Sequence, residues 1–203
     1  MPTFLKPSHI RILLQLSQGI DRITEGVGRL STWLIFLTIA VGFYNVVARY
    51  IGRLIGVKLS SNALIELQWY LFSLMFLLSF AYILKHAANV RVDFLYTRWS
   101  AKQQALVDFL GTVFFLIPFC AVGIWISLNP VLQSWGMLPD GSWGTWELSP
   151  DADGLPRAPI KSVLIVGLVL LLAQSISQAI KYLSILKGYT PIAPDDVEHI
   201  PLE

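Results

Sequence analysis

Charge is absent from four stretches of this chain, and that absence constrains the fold more than any motif does. Leu30–Ala48, Leu67–Leu84, Phe109–Leu128 and Ser162–Ile180 contain no Asp, Glu, Lys or Arg. A helix rises about 1.5 Å per residue, so roughly 20 apolar residues cross a hydrocarbon core about 30 Å thick. Inside that core every backbone N–H and C=O has to be bonded within the protein, which leaves the helix as the solution for isolated apolar runs. The composition agrees: 55% of the 203 residues are hydrophobic and 14% are charged, against about 25% charged in a typical soluble domain. Mean hydropathy is +0.62. The expected class is an all-α integral membrane protein with four transmembrane helices.

The second run is the shortest, and its ends support the assignment. Trp69 and Tyr70 lie near one boundary and Tyr82 near the other, as aromatic rings do at membrane–water interfaces. Trp33 and Tyr44 bracket the first run in the same way. The chain therefore divides into an amphipathic N-terminal segment over residues 1–29, a membrane domain over 30–181 and a tail over 182–203. The spans are expected at 30–48, 67–84, 109–128 and 162–180, with a long loop over 129–159. The tail carries prolines and acids and is expected to be poorly ordered.

Before the first span, Leu13, Leu16, Ile20, Ile23, Val27 and Leu30 recur at spacings of three and four, a helical stripe. Such a helix either lies in the interface plane or packs on a partner helix. Pro2 and Pro7 interrupt the N-terminus, which does not read as a cleaved signal peptide, so the first span is expected to act as an uncleaved anchor. Ser100 and Gln103 have the spacing of a capping box opening the third helix. Pro118 predicts a kink within that helix, and Asn129-Pro130 predicts its end. Leu155-Pro156-Arg157-Ala158-Pro159 leads into the fourth span.

Basic residues in short loops orient a membrane protein. Lys6, Arg11, Arg22, Arg29, Lys85, Arg91, Arg98, Lys102, Lys181 and Lys187 fall on one side, and Arg49, Arg53, Lys58, Arg157 and Lys161 on the other. Ten against five predicts both termini in the cytoplasm and the 129–159 loop outside.

Several chemistries find no support. A net charge of +2 without a basic cluster of the required length gives no footprint for nucleic acid. His9, His86 and His199 lie outside the spans, so no intramembrane pair is present to ligate haem, and no Cys/His set has zinc spacing. No catalytic, cofactor or metal residues are assigned, and the chain is not expected to be an enzyme. Cys120, in an apolar run, reads as a small packing residue.

Polar residues near the membrane are the remaining candidates. Glu66, Tyr70 and Ser73 form one stripe on the second span, and Asn45 and Arg49 stand four apart at the end of the first. An Arg49–Glu66 pair joining the two helices is one reading, and contact with a partner subunit is the other. Arg91 and Asp93, in Val-Arg-Val-Asp, are either a solvated turn or a docking element. In the long loop, Trp135, Trp143 and Trp146 stand among Asp140, Glu147, Asp151 and Asp153. That surface is suited to a protein partner or to anchoring at the bilayer. A transporter with its own substrate site is expected to show repeats and broken helices, and one mid-span proline does not supply them.

These pieces resemble the small membrane subunit of tripartite ATP-independent periplasmic (TRAP) transporters, the DctQ-like family. The matching residues are Asn45-Val46-Val47-Ala48-Arg49-Tyr50, Glu66 with Trp69-Tyr70-Leu71-Phe72, Asn89-Val90-Arg91-Val92-Asp93, and Leu155 to Lys161. Asn89 stands where the family often has histidine. The resemblance implies a non-catalytic, multi-pass subunit of the bacterial inner membrane. Its implied partners are membrane lipid, a large permease subunit and a periplasmic substrate-binding protein. It further implies that sodium and an organic anion, a carboxylate, are bound by the large subunit rather than by this chain. The alternative is an anchor or adaptor in another complex, such as a redox enzyme, which the absence of intramembrane histidines disfavours.

Overall fold

The computed structural model describes residues 7–88, 96 and 98–188, with the side chains of the first helix from residue 12 onward. Its elements are α1 (Pro7–Ile55), α2 (Asn62–Lys85), α3 (Ala101–Gly111), a π-helical turn (Thr112–Leu116), α4 (Ile117–Ser134) and α5 (Arg157–Leu186). Four helical stretches are long and apolar enough to cross a membrane: Ile12–Ile55, Asn62–Lys85, Ala101–Ser134 and Arg157–Leu186. The protein is all-helical, with one isolated bridge between Met137 and Trp143 among the described residues.

The amphipathic segment and the first span form one continuous helix. No proline interrupts the sequence between Pro7 and Pro118, and one apolar face carries on through the expected boundary at residue 29. Val27, Leu34 and Val41 follow at seven-residue intervals and pack with Leu71, Leu74, Met75 and Leu78 of α2 and Leu170 of α5. Small residues bring α1 and α2 close, as they do where helices meet in lipid. A Cβ on Gly28 would fall 2.0 Å from the Tyr82 ring, and one on Gly42 would fall 2.9 Å from the Gln68 amide. The first half of α1 also packs on α5, through Ser17, Asp21 and Thr24, while Leu16, Ile23 and Leu30 of the amphipathic stripe stay exposed.

α5 is the central helix and touches every other one. Gly167 lies against the Leu77 backbone of α2, and Gly123 of α4 lies against Leu168. α3 and α4 pack chiefly on α5, which leaves Phe114, Phe115, Phe119, Trp125 and Ile126 exposed. Facing outward from α1 are Trp33, Phe36, Ile39 and Phe43. A smaller share of each other span than of α5 is buried by protein, as expected where lipid is the solvent.

The capping box is present. Gln103 N–H donates to Ser100 Oγ and Ser100 N–H donates to Gln103 Oε1 at 2.9 Å. The kink expected at Pro118 takes the form of the π-turn, in which Ile117 N–H reaches back five residues to Thr112 O. Proline has no N–H for the carbonyl four residues earlier and its ring clashes with it; the wider turn relieves both problems. The expectation that Asn129-Pro130 ends the helix is corrected, because α4 runs through Pro130 to Ser134. Pro130 lies on an exposed face, whereas Val131 and Ser134 are buried against the protein and hold the last turn. The helix stops at Gly136, whose φ of +102° is open to glycine.

Candidate functional site

The 129–159 loop is folded back over one end of the helices, and Glu66 organises that end. Glu66 lies in the second turn of α2, and only 3% of it is exposed. Its carboxylate accepts hydrogen bonds from Ser149 Oγ, from Leu155 N–H and, at 3.1 Å, from Arg157 Nη2. One turn along, Tyr70 donates its hydroxyl hydrogen to Pro156 O at 2.9 Å. The Arg157 guanidinium also sits 5.1 Å above the Trp69 ring, a cation–π contact. Gly154 closes the clasp, since a Cβ there would meet Ser149 at 2.4 Å and Glu66 Oε2 at 2.9 Å. Asn62 Nδ2 donates to Ala152 O at 2.9 Å and pins the loop to the start of α2. A buried carboxylate needs a counter-charge and donors for its remaining lone pairs, and the loop supplies both.

The Arg49–Glu66 pairing is therefore corrected. Arg157 takes Glu66 because the loop carries it into the buried site, whereas Arg49 stays on an exposed face. Asn45, 6% exposed, does not work with Arg49 either; its Oδ1 accepts from Ser60 Oγ at 3.0 Å and fastens the α1–α2 turn. Ser73 donates to Trp69 O within its own helix. Arg91 and Asp93 lie outside the described residues.

The loop tryptophans and acids divide into two groups. Trp135 donates its indole N–H to Ser162 Oγ at 2.8 Å, and its ring lies 5.9 Å from that of Trp146. Glu147 accepts from Lys161 Nζ and Ser134 Oγ, and its N–H donates to Ser134 O at 2.8 Å. The Lys161 ammonium and then the Ser134 hydroxyl hold the Glu147 carboxyl below its usual range. Trp135, Trp146 and Glu147 thus fasten the loop to α4 and α5. Trp143 remains 64% exposed. Asp140 accepts from the Ser142 hydroxyl and N–H, which lower its pKa and shape the turn at the loop tip.

At the opposite end lies a polar seam that the sequence reading did not identify. Asp21 pairs with Lys181 at 2.7 Å and accepts from Gln174 Nε2 and Ser177 Oγ, both at 2.9 Å. Thr24 donates to Gln174 Oε1 at 2.7 Å, and the Ser17 and Ser177 hydroxyls meet at 2.7 Å. Glu25, one turn beyond Asp21, takes Lys85 at 2.7 Å and His86 at 3.1 Å. Gln178 reaches the Leu84 and Lys85 carbonyls at the end of α2. The available signal was Gln174-Ser175-Ile176-Ser177-Gln178, a polar run inside an apolar span, facing the two acids of the amphipathic stretch. Among the described residues no three His, Cys, Asp or Glu side chains gather as a metal would require.

In comparison with known proteins, residues 38–184 match a family model described as the DctQ component of tripartite ATP-independent periplasmic transporters. No curated protein and no solved structure matches the chain.

Proposed function

Because the chain belongs to the DctQ family, the small membrane component of tripartite ATP-independent periplasmic transporters, we propose that it is a non-catalytic scaffold for the large permease subunit. The observation that carries this reading is how the helix-embedded charges are used. Glu66–Arg157, Asp21–Lys181 and Glu25–Lys85 each tie one helix to another region of the same chain. Such cross-links suit a frame that holds its shape while a partner moves. The outward aromatic faces of α1 and of α3–α4 give that frame apolar surface for the permease and for lipid. Ser73, Arg91 and Asp93 remain candidates for contact with the permease.

In this reading the large subunit binds sodium and an organic anion, a carboxylate, and a periplasmic binding protein delivers the anion. Both termini are cytoplasmic and the folded loop faces the periplasm of a bacterial inner membrane. Trp143 and Asp140, at the loop tip, are the residues best placed for contact with the binding protein. The decisive experiment is co-purification of the tagged chain with the neighbouring large permease, followed by reconstitution in vesicles. Sodium-dependent carboxylate uptake should require this chain, the permease and the binding protein together. Full uptake by the permease and binding protein alone, or co-purification with a redox enzyme instead, would overturn the proposal.

A further inference from the structure

The turn between α1 and α2 gathers cations that no carboxylate meets among the described residues. No Asp or Glu occurs between Glu25 and Glu66, and Glu66 is occupied by Arg157. Elsewhere Lys85, Lys161, Lys181 and Arg157 each meet a carboxylate. Arg49, Arg53 and Lys58 have no carboxylate partner among the described residues, and all three line one open cavity of about 430 Å³. Arg49 and Arg53, four apart, share a face of α1. Lys58 is brought to them by the backbone. Val57 N–H donates to Gly52 O at 2.9 Å, and Gly56 takes a φ of +73°. The chain thereby doubles back so tightly that a Cβ on Gly52 would lie 2.4 Å from Val57 O.

The surroundings of this cavity are apolar. Leu54 and Ile55, in the last turn of α1, are 85% and 60% exposed, and Val57 and Leu59 in the turn are exposed as well. Three cations interleaved with bare aliphatic side chains at the end of a membrane span suit a ligand that is anionic at its head and oily at its tail. Guanidinium groups bind phosphate through paired N–H donors, and lysine adds a point charge. An acidic protein surface would match the charges but not the exposed aliphatic residues beside them. We propose that this corner binds the phosphodiester headgroup of an anionic phospholipid, with Arg49, Arg53 and Lys58 on the phosphate and the acyl chains running back toward the bilayer centre along the exposed Val46 and Ile39 of the same helix face.

The test uses the full chain purified in detergent and native mass spectrometry with dioleoyl phosphatidylglycerol, dioleoyl phosphatidylcholine and inorganic phosphate as separate probes. One phosphatidylglycerol should be retained in preference to phosphatidylcholine, and inorganic phosphate at equal concentration should not displace it. Each cation near a membrane surface contributes about fivefold to attraction of anionic lipid. The variant R49Q/R53Q/K58Q should therefore lose the preference by about tenfold or more, while R22Q/R29Q, before the opposite end of the first span, should keep it. A measurement on the unaltered chain guards against misfolding of the triple variant: photoreactive phosphatidylglycerol should label the peptide spanning residues 48–60. Equal retention of the two lipids, displacement by inorganic phosphate, an unchanged triple variant or labelling confined to other peptides would each overturn the proposal. So would cross-linking of Lys58 in native membranes to a protein and not to lipid.

Discussion

Glu66 illustrates how one side chain can join a loop to a helix pair. Its oxygens hold Ser149, Leu155 and Arg157, all from the segment that leads into α5. Glu66→Gln should lower the thermal midpoint in detergent by several degrees, because Arg157 then loses its counter-charge in a poorly hydrated site. Arg157→Gln should do the same, and the double variant should be much less than additive. Arg49→Gln should add independently to either. Coupling of Glu66 to Arg49 and not to Arg157 would refute the assignment. Glu147 provides a pH-dependent counterpart. Its folded pKa is lowered, first by Lys161 and then by Ser134. A depressed carboxyl pKa gives stabilisation that is complete above the ordinary value, about 4.3, and is lost as pH falls through the lowered folded value. Tryptophan emission from the loop should therefore shift on acidification below about pH 4. The shift should be missing from Glu147→Gln, and a variant retaining it in full would disconnect Glu147 from the transition.

At the scale of elements, contact between α1 and α2 depends on which glycine meets an aromatic ring. Gly26 and Gly28 are two residues apart in one helix. A Cβ at Gly26 meets nothing within 4 Å, whereas one at Gly28 would collide with Tyr82 at 2.0 Å. Gly26→Ala should be neutral or stabilising, by up to about 0.5–1 kcal/mol, through helix propensity. Gly28→Ala should destabilise by about 1–3 kcal/mol through overpacking. Tyr82→Ala should make the second substitution tolerable. Thermal unfolding of the four variants reads this directly, and equal effects at the two glycines would mean the helices do not meet as described. The π-turn before Pro118 is the other element-scale feature. It is a local answer to a missing N–H, and it leaves α3 and α4 as one apolar stretch.

At the scale of the whole molecule, both ends of the fold are tied by polar contacts around a central α5. The Glu66 clasp and the Glu147 anchor hold one end, and the Asp21 seam holds the other. Under the proposed topology the first end faces the periplasm. A reporter active only in the cytoplasm should work when fused after Glu203 and fail when inserted beside Gly141. Gly141 takes a φ of +82° at an open loop tip where nothing crowds it, so an insertion there leaves the helices in place. An active reporter at Gly141 would reverse the orientation.

The sequence by itself determined the class of this protein. Four uncharged runs have a single backbone solution in lipid, and their lengths set the number of spans. It also determined the start of α3, because a capping box is a contact between residues three apart and is written in local order. The pieces that carry the family resemblance were legible for the same reason. Partner choice among distant residues was not. Arg49 and Arg157 are equal as candidates for Glu66 in a list of charges, and only the fold of the loop decides that Arg157 is delivered to the buried carboxylate. The end of α4 was likewise hidden, because buried Val131 and Ser134 outweigh the local signal of Asn129-Pro130. The Asp21 seam joins residues about 150 positions apart. Hydrophobic patterning records which side chains avoid water, but the geometry that lets one donor reach one acceptor exists only once the helices are packed.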